Sequence, residues 1–387
     1  MKECVLITVP PINLDNLLSL SEDRSFHDIY IGGRFKVIDF LIGNFERVGF
    51  EDFIIITNHD SIKNHLPIAW NNLKILTLLE EESNFSPLYS NFTINQYTRF
   101  NQEINKNMFD LENFILQNYR KIYWVLGYPI WFPLENYISE IKNLSIALLY
   151  SKIGTPQYYH TAVLSQRYFE EALKHIKNKT YNLFLSTYRE NNSYETDYFL
   201  FFPFTNLKEY FKMNLSILDW RKINEIETIF GKYPIRTRTE FFSPAIIGRH
   251  GTFSNSLIGD NSFVDGIVES SIVCPNVKIE RDSKIRNTII YPGNWIGKNI
   301  EANNVIIDEV NITLKYPNVG DSTILGGKGL GAPNTKYPSI MNFDATLIGK
   351  NVIIPSKTQV SLNAYIPSNT DLTKMKIGKY IKSSTNF

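Results

Sequence analysis

Two glycines beside two basic residues form the first segment of this chain whose composition suits phosphate chemistry. Residues 32–36 read G-G-R-F-K, so Arg34 and Lys36 follow Gly32 and Gly33 almost directly. A helical pattern begins in the same segment, and basic groups at a helix N-terminus suit a phosphate group. A pair of solvated surface charges explains the same residues equally well. The segment is therefore a candidate anion site with a plain structural alternative.

The elements expected to carry this segment alternate between strand and helix. Near-continuous apolar runs predict buried strands at 5–9, 53–57, 122–127, 145–150 and 181–186. Apolar residues at helical spacing predict helices over 35–48, 109–119 and 167–176. This order predicts an α/β domain, a doubly wound Rossmann-like fold whose parallel sheet is covered on both faces.

The pattern changes at about Ser243, where short β-rich units replace the charged helices. Apolar residues then recur every six positions at Ile267, Val273, Ile279, Ile285 and Tyr291, with shorter series at Ile290 and Ile296 and at Ile258 and Val264. A six-residue apolar repeat predicts a parallel β-helix, and a β-sandwich with chance spacing is the alternative. The predicted domains are residues 1–240 and residues 241–387.

The net charge, the cysteine count and the lengths of the apolar runs exclude several classes of protein. Forty Lys and Arg against 39 Asp and Glu give a net charge of +1, so no basic field would attract nucleic acid or an anionic membrane. Cys4 and Cys274 are the only cysteines, which argues against a disulfide framework and for a reducing compartment. No apolar run reaches the roughly 18 residues of a membrane span. We therefore expect a cytoplasmic protein. The spacing of the histidines predicts no metal ligand set.

Four segments carry a resemblance to a known family. Residues 23–40 read D-R-S-F-H-D-I-Y-I-G-G-R-F-K-V-I-D-F, which resembles a segment of bacterial glucose-1-phosphate adenylyltransferase (ADP-glucose pyrophosphorylase). Later segments resemble that family in the same order, namely N-L-K-E-Y-F-K-M-N-L (206–215), Y-P-I-R-T (233–237) and F-S-P-A (242–245). The resemblance implies a nucleotidyltransferase domain followed by a left-handed parallel β-helix of hexapeptide repeats.

The phosphate loop that the resemblance implies is replaced in this chain. Counting back from Gly32, the family's first two loop glycines fall on Pro10 and Pro11, and its arginine falls on Asn16. Proline has no N–H to donate to a phosphate oxygen and its φ is fixed. These positions are therefore expected to have lost the nucleotide loop.

The metal site that the resemblance implies is replaced as well. The family's two magnesium-binding aspartates fall on Tyr128 and Pro203, and neither side chain can act as a carboxylate ligand. The family's E-K-P motif, which binds the sugar phosphate, has no counterpart between residues 150 and 200. We therefore expect no catalytic residue, no metal and no cofactor.

This combination resembles the non-catalytic GlgD-type subunit of the family. It implies a regulatory or assembly subunit of glucose-1-phosphate adenylyltransferase in glycogen (α-glucan) biosynthesis, paired in a tetramer with a catalytic subunit or with further copies of itself. In catalytic relatives a basic residue at the Arg34 position helps to bind a phosphorylated sugar effector. Gly32, Gly33, Arg34 and Lys36 are thus candidate effector or sugar-phosphate residues. Asn58 lies where relatives use Gln near the adenine, which makes it a candidate vestigial nucleotide contact.

Two other functions stay open at this point. The chain could be an active sugar-phosphate nucleotidyltransferase that makes ADP-glucose from glucose 1-phosphate and ATP with a rebuilt Mg²⁺ site, for which Asp15 and Glu22 are the candidate ligands. It could also be a hexapeptide-repeat acyltransferase, an enzyme class that uses a histidine base, and His250 borders the repeat region.

Overall fold

The computed structural model describes residues 2–80, 85–89, 111–198, 200–219, 235–237, 243–327, 329–375 and 378–387. Up to residue 219 these residues form a mixed α/β region, and from residue 243 they form short β-strands. The predicted boundary at residues 240 and 241 falls outside the described residues, so it stays a prediction. None of the helices in these segments combines the length and the apolar character needed to cross a membrane.

The α/β region is built from short strands and helices in alternation. Its strands are β1 Glu3–Ile7, β2 Tyr30–Ile31, β3 Phe35–Lys36, β4 Asp52–Thr57, β5 Lys74–Glu80, β6 Phe85–Tyr89, β7 Lys121–Val125, β8 Ile130–Trp131, β9 Ile146–Lys152, β10 Gln157–Ser165, β11 Ser193–Glu195 and β12 Leu200–Phe201. Its α-helices are α1 Ser19–Glu22, α2 Val37–Glu46, α3 Leu66–Ala69, α4 Leu111–Asn118, α5 Ile138–Ile141, α6 Gln166–Lys177, α7 Tyr181–Asn192 and α8 Leu207–Ser216. Short 3₁₀ helices span Leu14–Leu17, Phe26–Asp28, Asp60–Asn64 and Leu134–Asn136.

The main sheet runs in the order β11-β9-β10-β7-β1-β4-β5-β6. Its central strands β7, β1, β4 and β5 are parallel, and the apolar runs predict the first three of them. Alternate residues of β1 enter opposite cores: Cys4 and Leu6 pack on one face, and Val5 and Ile7 on the other. The sheet is nevertheless mixed, because β10 pairs antiparallel with both β7 and β9 and β6 pairs antiparallel with β5. The β9–β10 and β5–β6 pairs are each joined by a connection too short for a parallel crossover.

The strand predicted at 181–186 is wrong, because these residues begin the helix α7. Tyr181, Phe184 and Leu185 are buried at helical spacing, whereas Leu183 is exposed. The rings of Tyr181 and Phe184 each lie 5.5 Å from the Trp124 ring, measured between centroids. The apolar residues of this run therefore form one face of a helix that packs on β7, and they do not form a buried strand. The helices predicted at 35–48 and 167–176 are confirmed as α2 and α6, except that Phe35–Lys36 form the strand β3, and the described part of 109–119 forms α4.

The second region consists of short strands that pair in parallel. They are β13 Ile246–Ile247, β14 Thr252–Ser254, β15 Leu257–Ile258, β16 Phe263–Val264, β17 Ile267–Glu269, β18 Ile272–Val273, β19 Lys278–Ile279, β20 Lys284–Ile290, β21 Trp295–Ile296, β22 Glu301–Ile307, β23 Ile324–Gly326, β24 Thr346–Ile348, β25 Gln359–Val360, β26 Tyr365–Ile366 and β27 Tyr380–Ile381. One ladder aligns Ile247 with Val264, Ile279 and Ile296 in successive strands. Such parallel ladders differ from the antiparallel sheets of a β-sandwich.

The predicted six-residue rows fill the core of this region. Val264, Val273, Ile279, Ile285, Ile290 and Ile296 all belong to one buried cluster. The prediction is out of register at two positions: Val268, not Ile267, is the buried residue of β17, and Tyr291 packs in the other cluster, with β1 and α2. Many of the intervening turns have an asparagine at positive φ, such as Asn261 at 56° and Asn299 at 55°. Asparagine tolerates this left-handed backbone better than most residues, which explains its spacing.

The two regions share a core and a buried ion pair. Ile272, Cys274, Ile289 and Tyr291 of the second region belong to the same apolar cluster as β1 and α2. Arg24 of the α/β region donates to Asp308 of the second region at 2.8 Å, and both side chains are almost fully buried. The Tyr210 and Tyr291 hydroxyls lie 2.6 Å apart across the same junction.

Candidate functional site

The loops that follow β1 and β7 meet at the carboxyl edge of the sheet. Pro10 is buried there, three residues after the end of β1. Gly127, with φ +77°, packs so closely that an added Cβ would lie 2.3 Å from the Thr8 carbonyl oxygen and 2.8 Å from Pro10 Cδ. A glycine is required at this contact because a side chain would collide with backbone. The contact places Tyr128, the next residue, beside the proline turn.

The segment that contains Pro203 joins the same edge. The N–H of Phe202 donates to the Pro129 carbonyl at 2.9 Å. Pro129 directly follows Tyr128 and Phe202 directly precedes Pro203, so this bond joins the two segments. The Tyr128 ring contacts the Tyr158 ring, with centroids 6.3 Å apart. We call Pro10, Pro11, Tyr128 and Pro203 the strand-end group. The structure thus brings together three loops that the family resemblance assigned to one site.

The strand-end group offers no ligand suited to a magnesium ion. Burial raises the pKa of Tyr128 to about 12, with smaller contributions from Tyr158 and Glu209, so its phenol stays neutral. Pro203 is buried and has no side-chain donor atom. Mg²⁺ prefers carboxylate oxygens and water, so these residues do not fit the ion.

The residues considered for a rebuilt site lie elsewhere. Asp15 is exposed on the 3₁₀ helix Leu14–Leu17, which also carries Asn16. Glu22 is exposed, and its charge contributes to raising the pKa of Tyr365, so it faces the second region. Across the described ranges, no three His, Cys, Asp or Glu side chains group closely enough to hold a metal ion.

The G-G-R-F-K segment forms a hairpin rather than a simple loop. Gly32, Gly33 and Arg34 form the turn between β2 and β3, and Lys36 directly precedes α2. The Gly32 N–H donates to Asn214 Oδ1 at 2.9 Å, and an added Cβ on Gly33 would lie 2.6 Å from Ile272 Cγ2. These glycines therefore allow close packing of the hairpin, and the Gly32 N–H is already paired.

The two basic side chains of the hairpin differ in their surroundings. Lys36 is ion-paired with Asp28 and lies 5.1 Å from the centre of the Tyr30 ring. Burial lowers the pKa of Lys36, but Asp28 and Tyr30 outweigh this effect and raise it overall. Arg34 is exposed and forms no ion pair with a residue that the structure describes. Arg34 is therefore the cation of the hairpin that is available to an anion.

Both cations line a cleft of about 480 Å³ at the junction of the two regions. We call it the junction cleft, and its charged lining consists of Asp23, Asp28, Arg34, Lys36, Glu309 and Lys350. Lys350 Nζ lies 3.0 Å from Asp23 Oδ2 and 3.0 Å from Glu309 Oε1. Burial opposes the charge on Glu309, but Arg24 and Lys350 together lower the pKa of its carboxyl to about 2. The cleft therefore holds three cations, two of which are already paired with carboxylates.

Sequence reasoning missed Lys350 and Glu309. Both lie in the repeat region, far from the hairpin along the chain, and no local pattern connects them to it. Arg24 stands in the D-R-S segment that carried the resemblance, but its role is to bridge the regions rather than to face a ligand.

Asn58 follows the carboxyl end of β4, yet its side chain is engaged locally. Its Oδ1 accepts the Phe26 N–H at 3.1 Å, which fixes the start of the 3₁₀ helix Phe26–Asp28. Asp39 has a structural role: it is fully buried and accepts hydrogen bonds from His65, Trp70 and Thr237.

His250, the candidate acyltransferase base, is exposed and lies 3.3 Å from Asp265 through its Nδ1. The same carboxylate accepts the His250 backbone N–H at 2.8 Å, and the Gly251 N–H bonds to Gly248 across the same turn. The pair therefore closes a surface turn before β14.

Comparisons with known proteins agree with part of this description. Residues 241–323 match the family described as GlmU-like, C-terminal hexapeptide. The chain is 28% identical over 122 residues to the glucose-1-phosphate adenylyltransferase of Enterobacter sp. (strain 638), which covers 30% of this chain and 28% of that protein. It is 26% identical over 167 residues to the enzyme of the same name from Fervidobacterium nodosum, covering 42% and 40%. It is 22% identical over 160 residues to that of Acetivibrio thermocellus, covering 41% and 35%.

The matched segments therefore span well under half the length of each of these relatives. Distant similarity to glucose-1-phosphate adenylyltransferase is present, together with a hexapeptide-repeat segment.

Proposed function

We propose that this chain is a non-catalytic, regulatory or assembly subunit of glucose-1-phosphate adenylyltransferase in glycogen biosynthesis, of the GlgD type. The observation that carries the proposal is the strand-end group. Pro10, Tyr128 and Pro203 lie on neighbouring loops; the two prolines have no backbone N–H to donate to a phosphate, and none of the three side chains is a carboxylate ligand. Three unsuitable residues on one edge of the sheet are hard to reconcile with transfer of a nucleotidyl group.

The proposed scaffold is a degenerate nucleotidyltransferase-like domain over 1–240 followed by a left-handed β-helix over 241–387. The parallel central strands of the first region and the parallel ladders of the second support this architecture. The positive φ angles at regularly spaced asparagines also suit the corners of repeated coils. The protein is proposed to work in the cytoplasm, in a tetramer.

The junction cleft is the proposed effector site. Arg34 supplies a charge that no described carboxylate pairs, and Lys36 and Lys350 lie in the same cleft. A phosphorylated sugar fits this set, because its phosphate can accept charge-assisted hydrogen bonds from Arg while its hydroxyl groups meet the surrounding polar side chains. The chain would then keep the binding of a phosphorylated sugar, and this binding would be regulatory.

The test is to mix the purified chain with a catalytic glucose-1-phosphate adenylyltransferase from the same cell. ADP-glucose synthesis is measured as a function of effector concentration, with and without this chain. The proposal expects the mixture to differ from the catalytic subunit alone in its apparent substrate affinity or effector response. A mixture with the kinetics of the catalytic subunit alone, and no complex in sedimentation, would contradict the regulatory role.

A further inference from the structure

A polar groove lies beside three adjacent strands of the repeat region. Glu269 of β17, Arg286 of β20 and Asn303 of β22 lie in register on these strands. The residue that follows each of them has a positive φ, and these three residues are Ser270, Asn287 and Asn304. The backbone therefore turns at the same level in all three strands. All six residues line one groove of about 400 Å³, which we call the polar groove.

The row of side chains stops at Gly326 of the next strand, β23. Gly326 lies in register with Asn303 and has φ +70°. An added Cβ at Gly326 would lie 2.1 Å from the Asn303 carbonyl oxygen, so no side chain fits there. Gly329 of the loop after β23 also lines the groove. The glycine therefore leaves space beside Asn303, and the loop borders that space.

The described lining of the polar groove is hydrophilic and has no net formal charge. Its only two charged side chains pair with each other, since Arg286 Nε donates to Glu269 Oε2 at 2.6 Å. Its other side chains are three amides and one hydroxyl, and this described lining has no aromatic or aliphatic side chain. The groove therefore suits a neutral ligand rich in hydrogen-bonding groups, unlike the junction cleft, with which it shares no lining residue.

Several hydrogen-bonding groups of the groove are weakly engaged. Asn287 Nδ2 lies 3.4 Å from Asn303 Oδ1, and Asn304 Nδ2 lies 3.4 Å from the Gly327 carbonyl oxygen. Both distances exceed the roughly 2.9–3.0 Å of a typical N–H···O bond. The two terminal nitrogens of Arg286 donate to no residue that the structure describes. An amide side chain both donates and accepts, as a sugar hydroxyl does, so these groups can exchange their long bonds for bonds to hydroxyls.

The groups also repeat along the groove. Adjacent strands lie about 4.8 Å apart, so the amides of Asn287 and Asn304 recur at about this spacing. That spacing is comparable to the length of one pyranose unit in a sugar chain. A linear oligosaccharide can therefore meet similar groups on successive strands, whereas a single small molecule would use only one of them. The groove volume also lies within the roughly 300–1,000 Å³ of ligand sites.

We propose that the polar groove binds a neutral oligosaccharide, and that its ligand is a stretch of α-glucan. The preference for a neutral sugar chain comes from the groove alone. The choice of α-glucan rests on the proposed function, because that function belongs to glycogen biosynthesis. Binding in the groove holds the chain, and any catalytic subunit assembled with it, beside the polymer that consumes ADP-glucose.

The experiment measures binding of maltohexaose to the full chain by isothermal titration calorimetry, with cellohexaose as the β-linked comparison. We expect maltohexaose to bind more tightly than cellohexaose. Arg286→Met and Asn287→Gly, made separately, should each weaken maltohexaose binding by about fivefold, the scale of one lost hydrogen bond. Glycine keeps the positive φ of Asn287 without strain, so this variant tests the amide and not the turn.

Two matched control variants lie in the same repeat region but outside the groove. Asn299 has φ 55°, and its Nδ2 lies 3.3 Å from Ser322 Oγ, much as Asn287 contacts Asn303. Arg281 lies 3.9 Å from Asp282, in an exposed ion pair. Asn299→Gly and Arg281→Met should leave maltohexaose binding unchanged.

Cysteine protection keeps the test decisive if a groove variant misfolds. Cys4 and Cys274 are buried, so a maleimide labels an introduced surface cysteine selectively. Ser270 and Ser322 are both half-buried and have φ of 48° and 57°, but only Ser270 lines the groove. Maltohexaose should slow labelling of Ser270→Cys and leave that of Ser322→Cys unchanged.

The possible results separate this inference from the proposed function. The inference is overturned if maltohexaose does not bind, if the groove and control variants weaken binding equally, or if Ser270→Cys is not protected. Equal binding of cellohexaose would overturn the choice of α-glucan. Absence of glucan binding in a chain that still alters the kinetics of a catalytic adenylyltransferase would refute the groove and leave the proposed function intact. Glucan binding without any kinetic effect would support the groove and contradict the regulatory role.

Discussion

Arg34 and Lys350 line the same cleft but differ in what each can offer a ligand. Lys350 already contacts Asp23 and Glu309, whereas Arg34 is exposed without a described ion-pair partner. A phosphorylated effector should therefore depend on Arg34. We expect Arg34→Ala to weaken binding of a phosphorylated sugar by about tenfold, equal to about 1.4 kcal/mol, in isothermal titration calorimetry. The matched control Arg189→Ala removes an exposed arginine from the end of α7 and should have no effect; equal losses in both would contradict the site.

Two buried histidines give the fold a specific pH dependence. Burial lowers the pKa of His27 to about 4 and that of His160 to about 3. Both therefore stay neutral in the folded chain at pH values at which they become protonated in the unfolded chain. Their stabilising contribution is complete above the unfolded value of 6.5 and is lost as the pH falls toward the folded values. Each should contribute a loss of roughly 2 kcal/mol between pH 6.5 and pH 5.

The measurement is urea unfolding at pH 7 and pH 5 for the wild type and for His160→Gln. The variant should be less stable at pH 7 and should lose less free energy of unfolding on going to pH 5. An unchanged pH dependence in the variant would show that His160 is not the group responsible.

The resemblance to the adenylyltransferase family placed Pro10, Tyr128 and Pro203 at one site, because the family's loop glycine and two aspartates fall on these positions. It could not find Lys350 or Glu309, because the closing of the junction cleft depends on how the two regions pack. It also could not show that the Gly32 N–H is paired with Asn214. Contacts between segments distant along the chain leave no local pattern.

The hairpin of β2 and β3 depends on a glycine for packing. Gly33 has φ +72°, and an added Cβ would lie 2.6 Å from Ile272 Cγ2. Gly49 also has positive φ, at +92°, but nothing lies within 4 Å of its added Cβ. We expect Gly33→Ala to destabilise the chain by about 1–3 kcal/mol more than Gly49→Ala, because only the first combines backbone strain with overpacking. Equal free energies of unfolding for the two variants would contradict close docking of the hairpin on β18.

Helices and strands whose apolar residues follow one clear period were predictable from the sequence. Segments whose apolar pattern fits both a helix and a strand were not. The helix α2 is buried along almost its whole length and its apolar spacing is unambiguous. The run at 181–186 has apolar residues dense enough for a strand, but Leu183 faces solvent and the others follow helical spacing. The antiparallel β10 could not be inferred from its apolarity, because strand direction follows from the short turn after β9.

At the scale of the whole molecule, the Arg24–Asp308 pair joins the two regions. Its charges are buried, so removing one partner leaves an uncompensated charge in the core. We expect Arg24→Met to destabilise the chain by about 3–5 kcal/mol. Adding Asp308→Asn should recover part of this loss, since the asparagine oxygen can still accept the Glu309 N–H that Asp308 Oδ1 accepts now. Calorimetric unfolding of the two single variants and the double variant measures this coupling, and additive losses would contradict it.

We propose that the α/β region keeps the scaffold of a nucleotidyltransferase without its chemistry. The most direct test is pyrophosphorolysis of ADP-glucose by the purified chain alone, over a range of Mg²⁺ concentrations. With Tyr128 and Pro203 in place of carboxylates, we expect no Mg²⁺-dependent formation of ATP above background. Robust Mg²⁺-dependent turnover by the chain alone would contradict it, and would place the metal ligands outside the strand-end group.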